Sequence, residues 1–201
     1  MILEGIVTTV DDRGELNIAP MGITLGPSLG LDRFQLRPYP SSTTFRNLKS
    51  SGEGVFHITD DVLLLAQTAI GLAPSPAAAV RPAEAVSGWV LVNACRFLEF
   101  RTASLDESAE RARIEAVTVR EGRNRDFLGF NRARHAVLEA AILATRTAFL
   151  PRSEILGDLD RLAVLVEKTG GDRERTAFRI LRDHVGAAAD SAPAGPSVES
   201  A

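Results

Sequence analysis

Runs of β-branched and apolar residues, broken by turn residues, fill most of the first half of the chain. Leu3–Val10 and Glu15–Leu25 are two such runs, and Asp11–Gly14 between them is typical of a hairpin turn. Short strands are also predicted over Phe34–Tyr39, which ends in a proline-punctuated turn, and over Val55–Thr59. The chain is therefore predicted to begin with a β-hairpin and to continue through several short strands.

The two longest strand candidates follow an irregular stretch. Trp89–Phe100 is largely apolar, and Arg111–Glu121 alternates small or apolar residues with charged ones. We expect these two strands to pair antiparallel. The preceding stretch, Gly71–Gly88, is rich in Ala and Pro, and its prolines predict a surface excursion without a continuous regular element: Pro74, Pro76 and Pro82.

Apolar residues at helical spacing, flanked by capping residues, predict five helices. Two are short: Thr43–Ser51, which follows a Ser/Thr run, and Val62–Ile70, which follows the candidate caps Asp60 and Asp61. Arg132–Phe149 carries a wide apolar face. Ser153–Val185 is predicted to form two helices split at Gly170 and Gly171, the first capped by Ser153 and the second opened by Asp172.

Strands come first along the chain and helices last, an order that favours an α+β fold over a doubly wound parallel sheet. No predicted strand is followed by a glycine-rich loop of the GxGxxG or GxxxxGKS/T type, which excludes the usual dinucleotide and P-loop sites. We expect a strand-rich domain over residues 1–150, a helical appendage over 151–185, and a disordered tail over 186–201.

Composition narrows the class of protein further. With 201 residues, 45% of them hydrophobic, and a formal net charge of −3, the chain fits one compact domain and disfavours nucleic-acid binding. No window approaches the roughly 20 apolar residues of a membrane span, and the amino terminus has no basic stretch ahead of an apolar run. Cys95 is the one cysteine, which excludes an intramolecular disulfide, and we expect a cytoplasmic location.

The segment Arg37–Leu48, with the sequence RPYPSSTTFRNL, carries the strongest chemical signal. Arg37 ends a predicted strand, and Ser41 to Thr44 lie at a predicted helix start, where free backbone N–H groups, hydroxyl groups and the positive end of the helix dipole converge. Such an arrangement predicts an anion site. The alternative is a Ser/Thr helix cap without a ligand.

Other reactive side chains are explained more simply. The three histidines, His57, His135 and His184, have no metal-binding spacing, so no metal site is predicted, and we expect His135 to be a partly buried structural residue. Cys95 is expected to be an inert core residue. Asp60 and Asp61 are adequately explained as helix caps.

Four motifs together resemble a known family: APMG at Ala19–Gly22, RPYPSSTTFRNL at Arg37–Leu48, the strand and DD pair at Val55–Asp61, and GFNRARHAVLEAAILATR at Gly129–Arg146. They are similar to those of FMN-binding split-barrel proteins of methanogenic archaea and methanopterin-using bacteria, a family without an assigned reaction. The likeness extends from Ile2 to about Val185. It implies an antiparallel split β-barrel, related to flavin reductases and the pyridoxamine-phosphate oxidase group, with a C-terminal helical segment, and a homodimer with FMN near its interface.

Residue by residue, the resemblance implies three parts of an FMN site. Ser42, Thr43 and Thr44 would hold the phosphate, with Arg37 and Asn47 near it; Met21 and Gly22, with Ala19 and Pro20, would lie along the isoalloxazine ring; Asn131 and Arg132 would form a wall of the site. Each part has an alternative without a ligand, since Met and Gly are ordinary strand residues and Asn131 is a good helix cap.

Two functions fit this cofactor. One is an oxidoreductase that passes hydride between FMN and an unidentified small partner, with the chemistry carried by the cofactor. The alternative is a non-catalytic module that binds or senses flavin or a related phosphorylated cofactor.

Overall fold

A computed structural model describes residues 1–74 and 77–188 of the chain. Among them it has eight β-strands and five α-helices, and the predicted α+β class is confirmed. The strands are β1 Ile2–Val10, β2 Leu16–Leu25, β3 Arg33–Leu36, β4 Glu53–Ile58, β5 Val80–Pro82, β6 Trp89–Leu91, β7 Arg96–Asp106 and β8 Arg113–Arg123. The helices are α1 Thr43–Ser51, α2 Val62–Ala69, α3 Arg132–Ala144, α4 Arg152–Thr169 and α5 Asp172–Ala187.

Six of the strands close an antiparallel barrel in the order β1-β2-β3-β8-β7-β4. Side chains alternate between the two faces of each strand, and the barrel interior is filled by a core that includes Val7, Leu36 and Phe56. The rings of Phe34 and Phe100 pack edge to face there, with centroids 5.3 Å apart. The predicted β1–β2 hairpin and the antiparallel pairing of the two longest strands, β7 and β8, are both confirmed.

Helices α2 to α5 pack around a second core outside the barrel. Val137 of α3, Leu159 of α4 and Leu181 of α5 are fully buried in it, together with Ile6 of β1. Ile6 and Val7 are neighbours on one strand, so β1 contributes side chains to both cores and joins the barrel to the helices.

Four helix ends differ from the prediction. α2 ends at Ala69, with Ile70 as its C-cap. α3 ends at Ala144 and not at Phe149, because the Thr145 hydroxyl donates back to the Ile142 carbonyl at 2.8 Å and Phe149, 76% exposed, is not part of the apolar face. The predicted cap Ser153 is wrong, since α4 has Pro151 as its N-cap and no side-chain cap. α5 continues past Val185 to Ala187, and residues 189–201 of the predicted tail lie outside the described residues.

The predicted strand Trp89–Phe100 is in fact two strands. A turn separates β6 from β7, and the side-chain amide of Asn124 holds it by donating to the carbonyls of Leu91 at 3.1 Å and Ala94 at 3.3 Å. β6 pairs with β5, a strand within the Ala- and Pro-rich stretch that was predicted to be irregular; residues 75 and 76 of that stretch lie outside the described part. The turn after β6 thus depends on a residue about 30 positions away, whereas β5 and β6 form a local hairpin.

His57 is a fully buried histidine at the junction of β1, β4 and β6. Its Nε2 accepts a hydrogen bond from the amide of Leu91 at 3.0 Å, so its Nδ1 carries the proton and donates to the carbonyl of Ile6 at 3.2 Å. Burial disfavours the charged ring and lowers the pKa of His57 to about 4. The neutral ring therefore joins three strands.

We predict that the free energy of unfolding falls as the pH drops from about 6.5 to about 4. In that window the unfolded chain binds a proton at His57 and the folded chain does not, which costs roughly 3 kcal/mol in total. Urea unfolding across this range should show a smaller fall for His57→Gln than for the wild type. His135→Gln, at an exposed histidine, is the control with a wild-type fall; equal falls in the wild type and His57→Gln contradict the assignment.

A buried carboxylate ties the barrel to the helices and to the loop before α3. The side chain of Asp60 is 3% exposed and accepts hydrogen bonds from Arg125, from Arg134 at 3.0 Å and from the amide of Leu128 at 3.3 Å. Arg134 also donates to Glu174 of α5 at 3.1 Å. Burial alone would raise the pKa of Asp60, but the hydrogen bonds and the two guanidinium charges outweigh it and lower that pKa to about 2. We call Asp60, Arg125, Arg134 and Glu174 the Asp60 cluster.

We predict that Asp60→Asn destabilises the protein by roughly 3–5 kcal/mol, because it leaves two guanidinium groups without their buried counter-charge. The neighbouring Asp61→Asn is the matched control. Asp61 caps α2, a role that Asn also fills, and pairs with the exposed Arg173, so its loss should cost about 1 kcal/mol or less. Chemical unfolding at neutral pH measures both; similar losses for the two variants would rule out a central role for Asp60.

Candidate functional site

The barrel has an opening between β2 and β3. β1 and β2 pair along nine residue pairs, but β2 and β3 pair over three, from Ile23 to Leu25. Beyond β3 the chain stays with β8, since the amide of Ala112 donates to the carbonyl of Pro38 at 3.0 Å. The chain thereby departs from β2, and the residues of β2 from Leu16 to Gly22, all partly exposed, keep one unpaired edge.

The backbone of β2 turns polar groups toward this opening. The amide of Leu25 donates to the carbonyl of Met1, just before β1, so the odd-numbered residues of β2 bond to β1 and the even-numbered ones face the other side. Pro20 agrees with this register, because a proline fits a strand where its nitrogen faces an unpaired edge. By the same alternation, the N–H groups of Ile18 and Gly22 and the carbonyls of residues 18, 20 and 22 face the opening.

The side chains predicted to lie along a flat ring point to opposite faces of β2. Met21 packs against the barrel core. Gly22 faces outward, where an added Cβ would lie 2.8 Å from Cγ2 of Ile2 and 3.0 Å from Oε2 of Glu4. The side chains of Ile2 and Glu4 therefore already favour glycine at this position. Of the two residues, Gly22 is the one whose backbone N–H and carbonyl face the opening.

Helix α1 begins at Thr43, as predicted from the Ser/Thr run, and Ser42 is its N-cap. The Ser42 hydroxyl accepts from the amide of Phe45 at 3.2 Å and donates to the carbonyl of Tyr39 at 2.7 Å. Within the described part of the chain, the amides of Thr43 and Thr44 have no acceptor. Two free N–H groups and the positive end of the helix dipole thus remain available for an anion.

Two cations accompany this helix start. Arg37 is exposed on the segment between β3 and α1. Arg46, which the sequence alone did not indicate, donates to the carbonyl of Ser41 at 2.5 Å and to the Thr43 hydroxyl at 2.9 Å. Its spacing of three residues from Thr43, one helical turn, is the signal that points to it. Both guanidinium groups therefore belong to the segment that carries the free amides.

Thr44 and Asn47 are placed differently from the other predicted phosphate residues. They are 2% and 5% exposed, and their side chains face the β1–β2 hairpin. The side-chain amide of Asn17 donates to the Thr44 hydroxyl at 3.0 Å, and that of Asn47 donates to the hydroxyl of Thr9 at 3.0 Å. Asn17 is a second residue that the sequence alone did not indicate, since nothing local marks it.

These contacts join the anion-binding helix start to the open edge of β2. Asn17 touches Thr44 and lies at the beginning of that edge, and Gly22 lies about 17 Å further along the strand. The arrangement fits an elongated ligand with an anionic group at one end and a flat, hydrogen-bonding group at the other.

Asn131 and Arg132 are not brought to the start of α1. Asn131 caps α3 by accepting from the amide of Arg134 at 3.1 Å and donates to the carbonyl of Thr169 at 3.1 Å, while Arg132 is exposed. The strand register puts the nearby Asp60 cluster about six residues, or roughly 20 Å, along β1 from the Thr44 contact, and thus level with Gly22, which pairs with Glu4 of β1. The expectation for His135 was wrong: it is exposed and stacks on Phe130, because α3 buries its other faces against α4 and α5.

A cavity of about 390 Å³ lies beside the Asp60 cluster, lined in part by Ile58, Cys95 and Phe127. Its three arginines already have partners: Arg96 pairs with Glu121, Arg123 with Asp126 and Arg125 with Asp60. Burial, with the charge of Asp60, raises the pKa of the Cys95 thiol. This cavity therefore offers a ligand fewer free donors than the start of α1.

In residues 1–74 and 77–188, no three side chains of His, Cys, Asp or Glu are grouped so that they could hold a metal ion. None of the helices in this part of the chain has the length and apolar character needed to cross a membrane.

Comparisons with known proteins agree with this architecture. An FMN-bound protein from Methanosarcina mazei matches with a TM-score of 0.77 and 23% identity, over 91% of this chain and 94% of that one. The flavin reductase of the styrene monooxygenase from Pseudomonas putida S12 matches with a TM-score of 0.51 and 13% identity, over 60% of this chain and 78% of that one. At these identities the likeness shows the fold, and the predicted split barrel is confirmed. Comparison with the curated proteins finds no match.

The family resemblance drawn from the four motifs is confirmed as well. A family model described as the N-terminal domain of a protein of unknown function, DUF447, matches residues 3–125, and the companion C-terminal model matches residues 131–183. The chain belongs to the DUF447 family.

Proposed function

We propose that this protein binds FMN, with the phosphate at the start of α1 and the flavin ring along the open edge of β2. The observation that carries the proposal is the pair of free amides at Thr43 and Thr44, at one end of an unpaired strand edge. The FMN-bound relative of the same fold supports it. The residues present fit the group, because a phosphate needs several donors and positive charge.

The phosphate would receive the amides of Thr43 and Thr44, the hydroxyls of Thr43 and Thr44, and the guanidinium groups of Arg37 and Arg46. Ser42, whose hydroxyl proton goes to the Tyr39 carbonyl, would hold the helix start in place. Hydrogen bonds from charged groups contribute roughly 1.5–3 kcal/mol each, so the two arginines dominate the affinity for a phosphate dianion. Asn47 would not touch the phosphate. It would hold α1 in place through its hydrogen bond to the Thr9 hydroxyl.

The flavin ring would meet the backbone of β2 rather than its side chains. The N–H groups of Ile18 and Gly22 and the neighbouring carbonyls face the opening, where a heterocycle with alternating donors and acceptors would complete their hydrogen bonds. Met21 would support the ring from the barrel side.

We further propose that the protein is an oxidoreductase whose redox partner is a small molecule. When bound, FMN supplies a ring that accepts and returns hydride. The chain's own part is to bind and orient the cofactor. Two observations agree with this role: burial raises the pKa of the Cys95 thiol, which disfavours the nucleophilic thiolate, and residues 1–74 and 77–188 contain no metal-binding group.

We also propose that two copies associate through the loop before α3. Phe127, Leu128 and Phe130 are 49%, 74% and 95% exposed, although the Asp60 cluster fixes the loop through Arg125 and the Leu128 amide. A fixed, exposed apolar loop is typical of an interface. In such a dimer, Asn131 and Arg132 would reach the FMN of the partner copy. With one free cysteine, a cytoplasmic location fits.

We predict that the wild type binds FMN at least about tenfold more tightly than riboflavin, which lacks the phosphate. The double variant Arg37→Ala/Arg46→Ala should lose at least about tenfold in FMN affinity and keep its riboflavin affinity. Arg33→Ala, at an exposed arginine of β3, is the matched control with wild-type affinities. Fluorescence titration of flavin-free protein measures all of these.

Failure of the wild type to bind FMN, or an unchanged double variant, would overturn the proposed site. The oxidoreductase proposal has its own readout, which is bleaching of bound FMN by NADH, NADPH or a reduced deazaflavin under anaerobic conditions. Tight binding without reduction by any of them would favour a binding or sensing module.

We predict that the wild type has twice the 21.6 kDa chain mass in solution. Leu128→Asp/Phe130→Asp should be a monomer, because removing two unpaired carboxylates from water in an apolar interface has a large unfavourable free energy. Phe149→Asp is the matched control, since Phe149 is 76% exposed near the far end of α3. Light scattering after gel filtration measures the mass; a monomeric wild type or a dimeric double variant contradicts the assignment.

A further inference from the structure

A buried polar group ties the start of α1 to the β1–β2 hairpin. It consists of Thr9 of β1, Asn17 of β2, and Thr44 and Asn47 of α1. Thr9 is fully buried, and Thr44 and Asn47 are nearly so. The side-chain amide nitrogen of Asn17 lies 3.2 Å from the Thr9 hydroxyl and 3.0 Å from the Thr44 hydroxyl. Asn17 thus bridges the strand and the helix.

The direction of these hydrogen bonds fixes the orientation of the Thr44 hydroxyl. The amide nitrogen of Asn17 has two protons, and it donates one to Thr9 and one to Thr44. The oxygen of Thr44 is therefore an acceptor in this contact, and its own proton is left to be donated elsewhere. Across residues 1–74 and 77–188 that proton has no acceptor. It lies on the same residue as one of the two free amides of α1.

We infer that Asn17 is a positioning residue of the phosphate site, an inference that rests on the proposed binding of FMN. Asn17 does not touch the phosphate. By donating to Thr44 it directs the Thr44 hydroxyl proton toward the phosphate, and by bridging to Thr9 it holds the helix start at the end of the open edge of β2. The residue thereby sets the preference of the site for a phosphorylated flavin over an unphosphorylated one.

The inference requires asparagine to act as a donor. An aspartate has the same shape, but its carboxylate accepts, so in Asn17→Asp the Thr44 hydroxyl would turn its proton inward and present its oxygen lone pairs to the phosphate. The same substitution adds a negative charge near the site, which also repels a phosphate. Removal of the Thr44 hydroxyl separates the two effects, because repulsion by the charge does not depend on that hydroxyl.

The test is a double-mutant cycle read as the ratio of FMN to riboflavin affinity. Asn17→Asp should lower this ratio by about tenfold or more, and Thr44→Val should lower it similarly. The combined variant should lose less than the two single losses together, because only the repulsion by the added charge remains once the Thr44 hydroxyl is gone. Ser50→Ala, at an exposed serine near the other end of α1, is the control and should keep the wild-type ratio. Melting temperatures of the flavin-free variants report whether each one folds.

Three results would overturn the inference. The first is an FMN-to-riboflavin ratio in Asn17→Asp that equals that of the wild type. The second is an equal loss of FMN and riboflavin affinity in Asn17→Asp, as expected of a merely structural role. The third is an effect of Asn17→Asp that persists in full when the Thr44 hydroxyl has been removed. Thr44→Ser, which keeps a hydroxyl, should restore the ratio that Thr44→Val loses. If the wild type itself binds FMN and riboflavin equally well, the proposed phosphate site is wrong, and the role inferred for Asn17 is wrong with it.

Discussion

The ladder between β2 and β3 ends after three residue pairs, and the backbone of β2 is left with polar groups that must find partners elsewhere. The continued pairing of Pro38 with Ala112 keeps the departing chain beside β8 and holds the gap open. Pro20 suits this edge, because it removes one donor from a side where no strand follows. The barrel thus closes at one end of β2 and leaves a backbone edge accessible at the other.

The same departure determines where α1 begins. The segment that follows β3 moves away from β2 and then comes back to it at Thr44, which contacts Asn17 of β2. The start of α1, with its two free amides, therefore lies at the beginning of the open edge. Positive charge from Arg37 and Arg46 accompanies the amides. One feature of strand pairing therefore produces both parts of the candidate site, an edge for a flat ring and a positively polarised helix start for a phosphate.

Elements governed by neighbouring residues could be predicted from the sequence. The start of α1 depends on Ser42, whose hydroxyl bonds an amide three residues away, and the β1–β2 hairpin depends on the turn between its strands. Elements governed by distant contacts could not. The turn after β6 is held by Asn124, and the exposed position of His135 depends on how α3 packs against α4 and α5.

The candidate site divides in the same way. Ser42, Thr43 and Arg37 could be recognised because they belong to one continuous segment with a local capping signal. Asn17 could not, since its contacts with Thr9 and Thr44 arise from the pairing of β1 with β2 and the return of α1. Asn131 and Arg132 resemble residues of a flavin site in sequence, yet they lie away from the start of α1, because Asn131 caps α3 and bonds to the carbonyl of Thr169 in α4.

A crystal structure of the protein with FMN would test the central claim most directly. The account predicts phosphate oxygens within hydrogen-bonding distance of the amides of Thr43 and Thr44, and the flavin ring beside the backbone of residues 18–22. A phosphate bound elsewhere, such as in the cavity beside the Asp60 cluster, or a ring that does not touch β2, would contradict it.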